Sequence, residues 1–282
     1  MIQTIVLRNK ASMPVLGIGT WEMGGRETAN LTDRGKYIES LRFAIQEGFS
    51  HIDTAEMYGA GEAERITGEA ISPFNREKLF ITTKVWPTNL SDEKLQQSAF
   101  NSLKRLRCDY VDSLLIHAPG MIVPIEESLE TMIRLKEKHF TRSIGLSNFS
   151  LEQMIRIEAL FPGEIDVCQN EYSLQSINKG LLTENSHSGV IPFCRANRIA
   201  FVAWRPLGKG SLIKSPTETM VSLSRKYECT PAQLAIAWTI HKAGTAAIVK
   251  ATSEDHIREN ATASRLKLSP ADYNSLIQTY DS

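Results

Sequence analysis

Residues 79–117 contain LFITTKVW (79–86), then SDEKLQQSAFNSLKRL (91–106), then YVDSLLIH (110–117). The two outer runs are short, rich in Ile, Val, Leu, Phe and Thr, and apolar on both faces, as strands of a helix-covered parallel sheet must be. The middle run has the apolar spacing of a helix. Strand, helix, strand is the repeating unit of a parallel α/β fold, and the alternation extends both ways along the chain. VLGIGT (15–20), HIDTA (51–55), SIGLSN (143–148), DVCQNEY (166–172), IAFVAWRPL (199–207) and TAAIVKA (245–251) read as further strands. RGKYIESLRFAIQEG (34–48), PIEESLETMIRLKEKH (124–139) and PTETMVSLSRKY (216–227) read as helices. The helix over 124–139 opens with Pro124 and two glutamates and closes with Lys136, Lys138 and His139, the charge order its dipole favours. Its Leu129, Met132, Ile133 and Leu135 are expected to face the core.

Eight strands, each followed by a helix, is the count of a (β/α)8 TIM barrel; a doubly wound open sheet is the structural alternative. The 282 residues, at roughly 150 per domain, suggest two domains at first, but barrels of this kind routinely form one. No Pro-, Gly- or Ser-rich linker interrupts the series, so a single barrel domain over 1–282 is expected. Thr4–Pro14 precedes the series and is expected to form a small hairpin closing the barrel bottom. Ser269–Asp281 reads as an extra helix outside the eightfold count.

Composition removes several function classes. Lys+Arg and Asp+Glu are each 32, giving zero formal net charge. That balance argues against binding through nucleic-acid phosphates and against a polybasic membrane face. No apolar run approaches the about 18–20 residues of a membrane span. MIQTIVLRNK lacks a basic segment followed by a long apolar stretch, so no signal peptide is expected. The four cysteines at 108, 168, 194 and 229 have no metal-ligand or disulfide spacing and are expected to be reduced thiols in a cytoplasmic protein. No metal is implied.

In such a barrel the chemistry sits where strands end and the following loops begin. The strand ends offer Asp53 with Tyr58, then Lys84, His117, Ser147 with Asn148, Gln169 with Asn170, Trp204 with Arg205, and Lys250. Each has a plain structural reading: an N-cap for the Asp, a solvated strand end for the Lys, a core position for the His or Trp. Together, Asp53, Tyr58, Lys84 and His117 on consecutive strands suggest a proton-transfer cluster. Asp53 and Lys84 are natural partners for buried charge, and an ammonium beside Tyr58 is expected to lower its pKa toward a value useful in acid catalysis.

These residues lie in recognisable motifs. GIGTWEMGG (17–25), DTAEMYG (53–59), TTKVW (82–86), LLIHAP (114–119), IGLSNFS (144–150), CQNEYS (168–173), WRPLGKG (204–210) and IVKATSEDHIREN (248–260) resemble, in order and spacing, the aldo-keto reductases. The resemblance implies NAD(P)H-dependent, reversible reduction of aldehydes and ketones. Tyr58 would be the general acid, Lys84 held by Asp53 would lower its pKa, and His117 would orient the carbonyl. Ser147, Asn148 and Gln169 would hold the nicotinamide carboxamide, with Trp204 stacked beneath the ring. Arg205, Leu207, Gly208 and Gly210 would meet the pyrophosphate; Lys250, Ala251, Thr252 and His256 the adenosine phosphate; Glu259 and Asn260 the adenine. Arg205, Lys209, Lys214, Lys250 and Arg258 would concentrate positive charge in these two segments.

Three features depart from the family pattern or are weakly specified. His256 stands where NADPH-preferring members commonly carry Arg, and Ala251 where a Ser-type residue is common. The expectation is NADPH preferred by a reduced margin, with NADH as a second usable cofactor. Arg205 replaces a small polar residue and has two readings, a pyrophosphate partner or a partner for a surface acid. For substrate, Trp21, Met57, Trp86, Phe149 and His117 would line an apolar mouth. No long pocket-closing tail is expected after the last helix, while the loops at 21–33 and 173–190 could supply specificity. The rival reading is a regulatory barrel that binds nucleotide with little turnover; an unrelated phosphate-binding barrel would make the motif match accidental. A small carbonyl compound is the expected partner, and a monomer is compatible with the sequence.

Overall fold

The computed structural model describes residues 2–176 and 189–281. Eight parallel strands close into a barrel in chain order: β3 (Leu16–Gly19), β4 (His51–Asp53), β5 (Phe80–Val85), β6 (Val111–Ile116), β7 (Thr141–Ser147), β8 (Ile165–Glu171), β9 (Ala200–Trp204) and β10 (Thr245–Val249). Pairing of β10 with β3, Val249 opposite Ile18, closes the ring and excludes the open sheet. Strands buried on both faces explain the continuous apolar runs: one face meets the helices, the other the barrel interior.

The helical layer consists of α1 (Arg34–Gln46), α2 (Glu62–Ile71), α3 (Asp92–Leu106), α4 (Ile125–Glu137), α5 (Leu151–Leu160), α6 (Ile191–Ala196), α7 (Ser211–Lys214), α8 (Glu218–Lys226), α9 (Pro231–Thr239), α10 (Glu254–Ala263) and α11 (Pro270–Asp281). In α4, Leu129, Met132 and Leu135 are buried as expected, and Ile133 packs at the edge of the core. Between β9 and β10 three helices stand where the sequence pattern suggested one. The third, α9, starts at a capping box of Thr230 and Gln233 with Pro231 at its first position. Its Leu234, Ala235, Ile236, Ala237 and Trp238 are all buried, so it lacks the polar face by which an amphipathic helix is recognised. The extra helix α11 docks through Tyr273, which stacks on Trp238 at 5.5 Å.

The hairpin β1 (Thr4–Val6) and β2 (Ser12–Pro14) pairs Thr4 with Pro14. Its Leu7 and Met13 join Phe80, Leu115, Val167, Ala200, Val202, Ala246 and Ile248 in one apolar cluster inside the barrel. Arg8 anchors the hairpin by an ion pair of 2.8 Å to Glu158 on α5. Among the described residues no helix is long and apolar enough to cross a membrane.

The plug predicts a stability cost. Met13 is fully buried, so Met13→Ala is expected to lower unfolding free energy by about 2–5 kcal/mol, read by urea denaturation. An unchanged midpoint would show that the hairpin is not part of the core.

Candidate active site

A strand alternates its side chains with a period of two, so the plug cluster tells which residues point inward at the other end. Counting up from Phe80 reaches Lys84, from Leu115 His117, from Val167 Gln169, from Val202 Trp204, and from Ile248 Lys250. His51, inside the barrel against Phe80 and Thr82, leads in the same way to Asp53. The barrel is thus apolar below and charged above, and the candidate site is its upper layer.

Lys84 and Asp53 are nearly sealed from solvent. The Lys84 ammonium donates to Asp53 Oδ1 at 2.6 Å, to the Thr54 carbonyl at 2.9 Å and to the Tyr58 hydroxyl at 3.4 Å. Burial pulls Lys84 down, but Asp53 and Tyr58 outweigh it and hold the ammonium above its usual range. For Tyr58 the balance runs the other way from the sequence expectation. Burial pushes the phenol up; Lys84 opposes this without overcoming it, so Tyr58 lies above its ordinary value. The group is therefore a protonated donor at neutral pH. The Tyr58 ring meets Trp21 edge-on at 4.9 Å and His117 at 5.6 Å, and His117 meets Trp86 at 5.0 Å. Burial, reinforced by Lys84, depresses His117 to about 3. Its Nδ1 is buried without a partner among the described residues, leaving a neutral imidazole with a free polar atom.

Asn148 ties the two sides of this layer together. Its backbone is left-handed at φ 65°, which Asn tolerates better than most residues. The side-chain amide donates to the His117 carbonyl at 2.8 Å and to Ser147 Oγ at 3.1 Å, and accepts from the Trp204 indole at 3.1 Å. Gln169 donates to Asp53 Oδ2 at 2.8 Å. Because a carboxylate only accepts, the amide nitrogen must face it and the amide oxygen turns elsewhere.

The rim residues are less free than the sequence suggested. Arg205 lies over Trp204 at 4.8 Å and 3.9 Å from Glu171, favouring the surface-acid reading. Lys250 is paired with Glu22 at 2.8 Å, and Arg258 with Glu47 and Glu254. Among the described residues Lys209 and Lys214 make no ion pair, Glu259 is bonded to Thr230, and His256 is exposed. Ala251 and Asn260 are buried, so Ala251 has only backbone to offer a ligand. Leu207 is half-buried against the core.

On the substrate side, Trp21, Met57 and Trp86 are half-buried at the mouth. Phe149, expected at the mouth, is 2% exposed, belongs to the apolar core cluster and presents its carbonyl to Asn170. The α5 capping box begins at the next residue, Ser150, and leaves the ring on the core side. Part of the 173–190 loop, residues 177–188, lies outside the described residues. Sequence reasoning missed Glu56, which accepts from the Trp86 backbone at 2.7 Å and from Asn89 at 3.0 Å. Its place between Asp53 and Tyr58 was the available signal. Glu22 was missed as well.

The residues fit an extended nicotinamide dinucleotide in most respects. Trp204 is half-buried at the top of β9. Gly208 and Gly210 are left-handed at φ 55° and 86°; a side chain at Gly208 would strike Gln175 Oε1, whereas Gly210 faces open space, so bare backbone is available to a phosphate there. The fit is poorest at Lys250, whose charge is already engaged.

The aldo/keto reductase family pattern matches residues 15–281, and the chain belongs to this family. The chain is 30% identical to the methylglyoxal reductase YeaE of Escherichia coli K12, over 95% of this chain and 92% of that one. The thermostable aldo-keto reductase Tm1743, solved with the inhibitor epalrestat, superposes with a TM-score of 0.91 at 35% identity, covering 99% of both chains. An aldo-keto reductase from Klebsiella pneumoniae solved with NADPH gives 0.86 at 30% identity, covering 99% of this chain and 95% of that one.

The buried imidazoles predict an acid limb of stability. Burial depresses His51 to about 4 and His117 to about 3, whereas an unfolded imidazole takes its proton near pH ~6.5. Below that pH the unfolded chain binds more protons, and stability falls by up to about 1.4 kcal/mol per pH unit for each ring. Asp166, raised to about 6 by burial, acts oppositely between about pH 4 and 6 and offsets about one ring. By proton NMR, two of the six histidines should not titrate between about pH 7.5 and 5. Six normal titrations would contradict the burial.

Proposed function

We propose that this chain reduces small aldehydes and ketones with NADPH, with Tyr58 as the proton donor. The observation that carries this reading is the Tyr58 hydroxyl 3.4 Å from a buried Lys84 ammonium that Asp53 holds at 2.6 Å. Ser147, Asn148 and Gln169 would hold the carboxamide, Trp204 the nicotinamide face, and the backbone from Arg205 through Gly210 the pyrophosphate. Lys250, Thr252 and His256 would meet the adenosine phosphate, with Glu259 and Asn260 toward the adenine. The chemistry the cofactor supplies when bound is a hydride for the carbonyl carbon.

The chain's own residues manage the proton. Burial keeps Tyr58 protonated, so the phenol can donate to the carbonyl oxygen. Lys84 then stabilises the phenolate left behind, where its charge counts most. His117, neutral across the physiological range, orients the oxygen by hydrogen bonding and is not the proton source. Asp53 keeps the ammonium charged and in place. In the oxidative direction the same phenolate would accept the alcohol proton.

Trp21, Met57 and Trp86 form a mouth suited to small carbonyl compounds, and the likeness to a methylglyoxal reductase makes 2-oxoaldehydes the class to test first. Four free cysteines suit a reducing cytoplasm, and a single barrel domain over 1–282 acting as a monomer is the simplest organisation.

The test is loss of NADPH absorbance against methylglyoxal and a panel of other aldehydes. Tyr58→Phe should lower kcat by about 10²–10⁴-fold while nucleotide binding survives. Lys84→Met should do likewise and move the alkaline limb of the kcat–pH profile upward. No turnover by the wild type on any carbonyl, or full activity in Tyr58→Phe, would reject the mechanism.

A further inference from the structure

β10 lies directly against β3, so the residue that leaves β10, Lys250, shares a stretch of rim with the loop that leaves β3. That loop carries Glu22, whose backbone is left-handed at φ 66° and bridged to Gly25. The two carboxylate oxygens face different cations. Oε2 is 2.8 Å from Lys250 Nζ, and Oε1 is 2.7 Å from the Arg26 guanidinium. The hydrogen bond from Lys250, with help from Arg26, keeps the Glu22 carboxyl below the usual carboxylate range, so it is charged at neutral pH.

We infer that Glu22 is a specificity-determining residue: its carboxylate occupies the Lys250 ammonium and narrows the margin by which a 2′-phosphorylated nucleotide is preferred. The inference rests on the reading that Lys250 meets the adenosine phosphate. A 2′-phosphate arriving there must displace the carboxylate or share the ammonium with it, anion beside anion. A 2′-hydroxyl carries no charge and can sit beside the same ion pair. His256 offers no guanidinium fork to grip that phosphate in compensation, because its imidazole lacks the paired donors of an Arg. The pair is partly exposed, 38% for Lys250 and 33% for Glu22, so it is a modest, salt-sensitive competitor rather than a lock. Glu22 also borders a cleft of about 250 Å³ lined by Arg26, Thr28, Asn30, Asp33 and Tyr37, which gives the carboxylate room to withdraw.

The experiment measures binary dissociation constants of NADP+ and NAD+ by tryptophan fluorescence, in low salt and in about 0.5 M KCl. The wild type is compared with Glu22→Gln and Arg26→Met. Glu22→Gln should tighten NADP+ by about three- to fivefold and leave NAD+ within about twofold. Arg26→Met, which leaves the carboxylate to Lys250 alone, should weaken NADP+ instead. Both differences should shrink in high salt, as screening requires. If both variants keep the wild-type NADP+/NAD+ ratio, or alter the two nucleotides equally, the inference is overturned and Glu22 merely shapes its loop. Failure of the functional reading would look different: the wild type would bind neither nucleotide, removing the ground for the inference too.

Discussion

The buried ion pair of Lys84 and Asp53 sets the terms for everything around it. Two charges taken out of water cost several kcal/mol each, by about the magnitude typical of protein interiors, unless every donor and acceptor is met. Here each is: the ammonium spends its three N–H groups on Asp53, Thr54 and Tyr58, and the carboxylate accepts from Lys84 and Gln169. That requirement draws β4, β5 and β8 into one layer and leaves the Tyr58 hydroxyl as the outward end of the chain of contacts. An apolar pair would fill the same space with less difficulty, so the charges are better understood through what they do to Tyr58 than through stability.

A second constraint joins the halves of the mouth. Asn148 reaches His117 on one side and Trp204 on the other, while its own backbone N–H is held by Asn170. The imidazole and the indole come from β6 and β9, which do not pair with each other. One amide in an unusual backbone conformation joins the His117 backbone carbonyl to that indole. The same economy explains why several rim cations are already paired: a neutral protein distributes acids among its bases, and Glu22, Glu171 and Glu47 lie within reach of them.

Much of this architecture was legible in the sequence because it follows from local periodicity. The eight strands, the N-terminal hairpin and the closing helix all carry their patterns within a dozen residues, and Asp53, Lys84 and His117 stand where strands end. Legibility failed where the decisive partner is distant or the pattern is absent. The Gln169–Asp53 bond spans 116 positions, and nothing near either residue announces it. Helix α9 is buried on nearly all sides, so its period vanishes. Phe149 follows a strand end as Trp86 does, yet the chain turns at Asn148 and Ser150 and commits its ring to the core. For Tyr58 the neighbours were foreseen but not the balance: burial outweighed the ammonium, which only three-dimensional depth could decide.

The plug of Leu7 and Met13 and the charged layer above it are linked by the two-residue period of the strands. Phe80 belongs to the lower layer and Lys84 to the upper, four residues along one strand. A single inserted or deleted residue between them would reverse the facing of everything beyond it. Either the phenyl ring would leave the plug, or the ammonium would turn out toward α3 and abandon Asp53. The strands of this barrel therefore tolerate exchange of side chains far better than any change in length. The loops after them carry no such parity, and length variation between relatives is free to accumulate there, at the rim where a ligand is recognised.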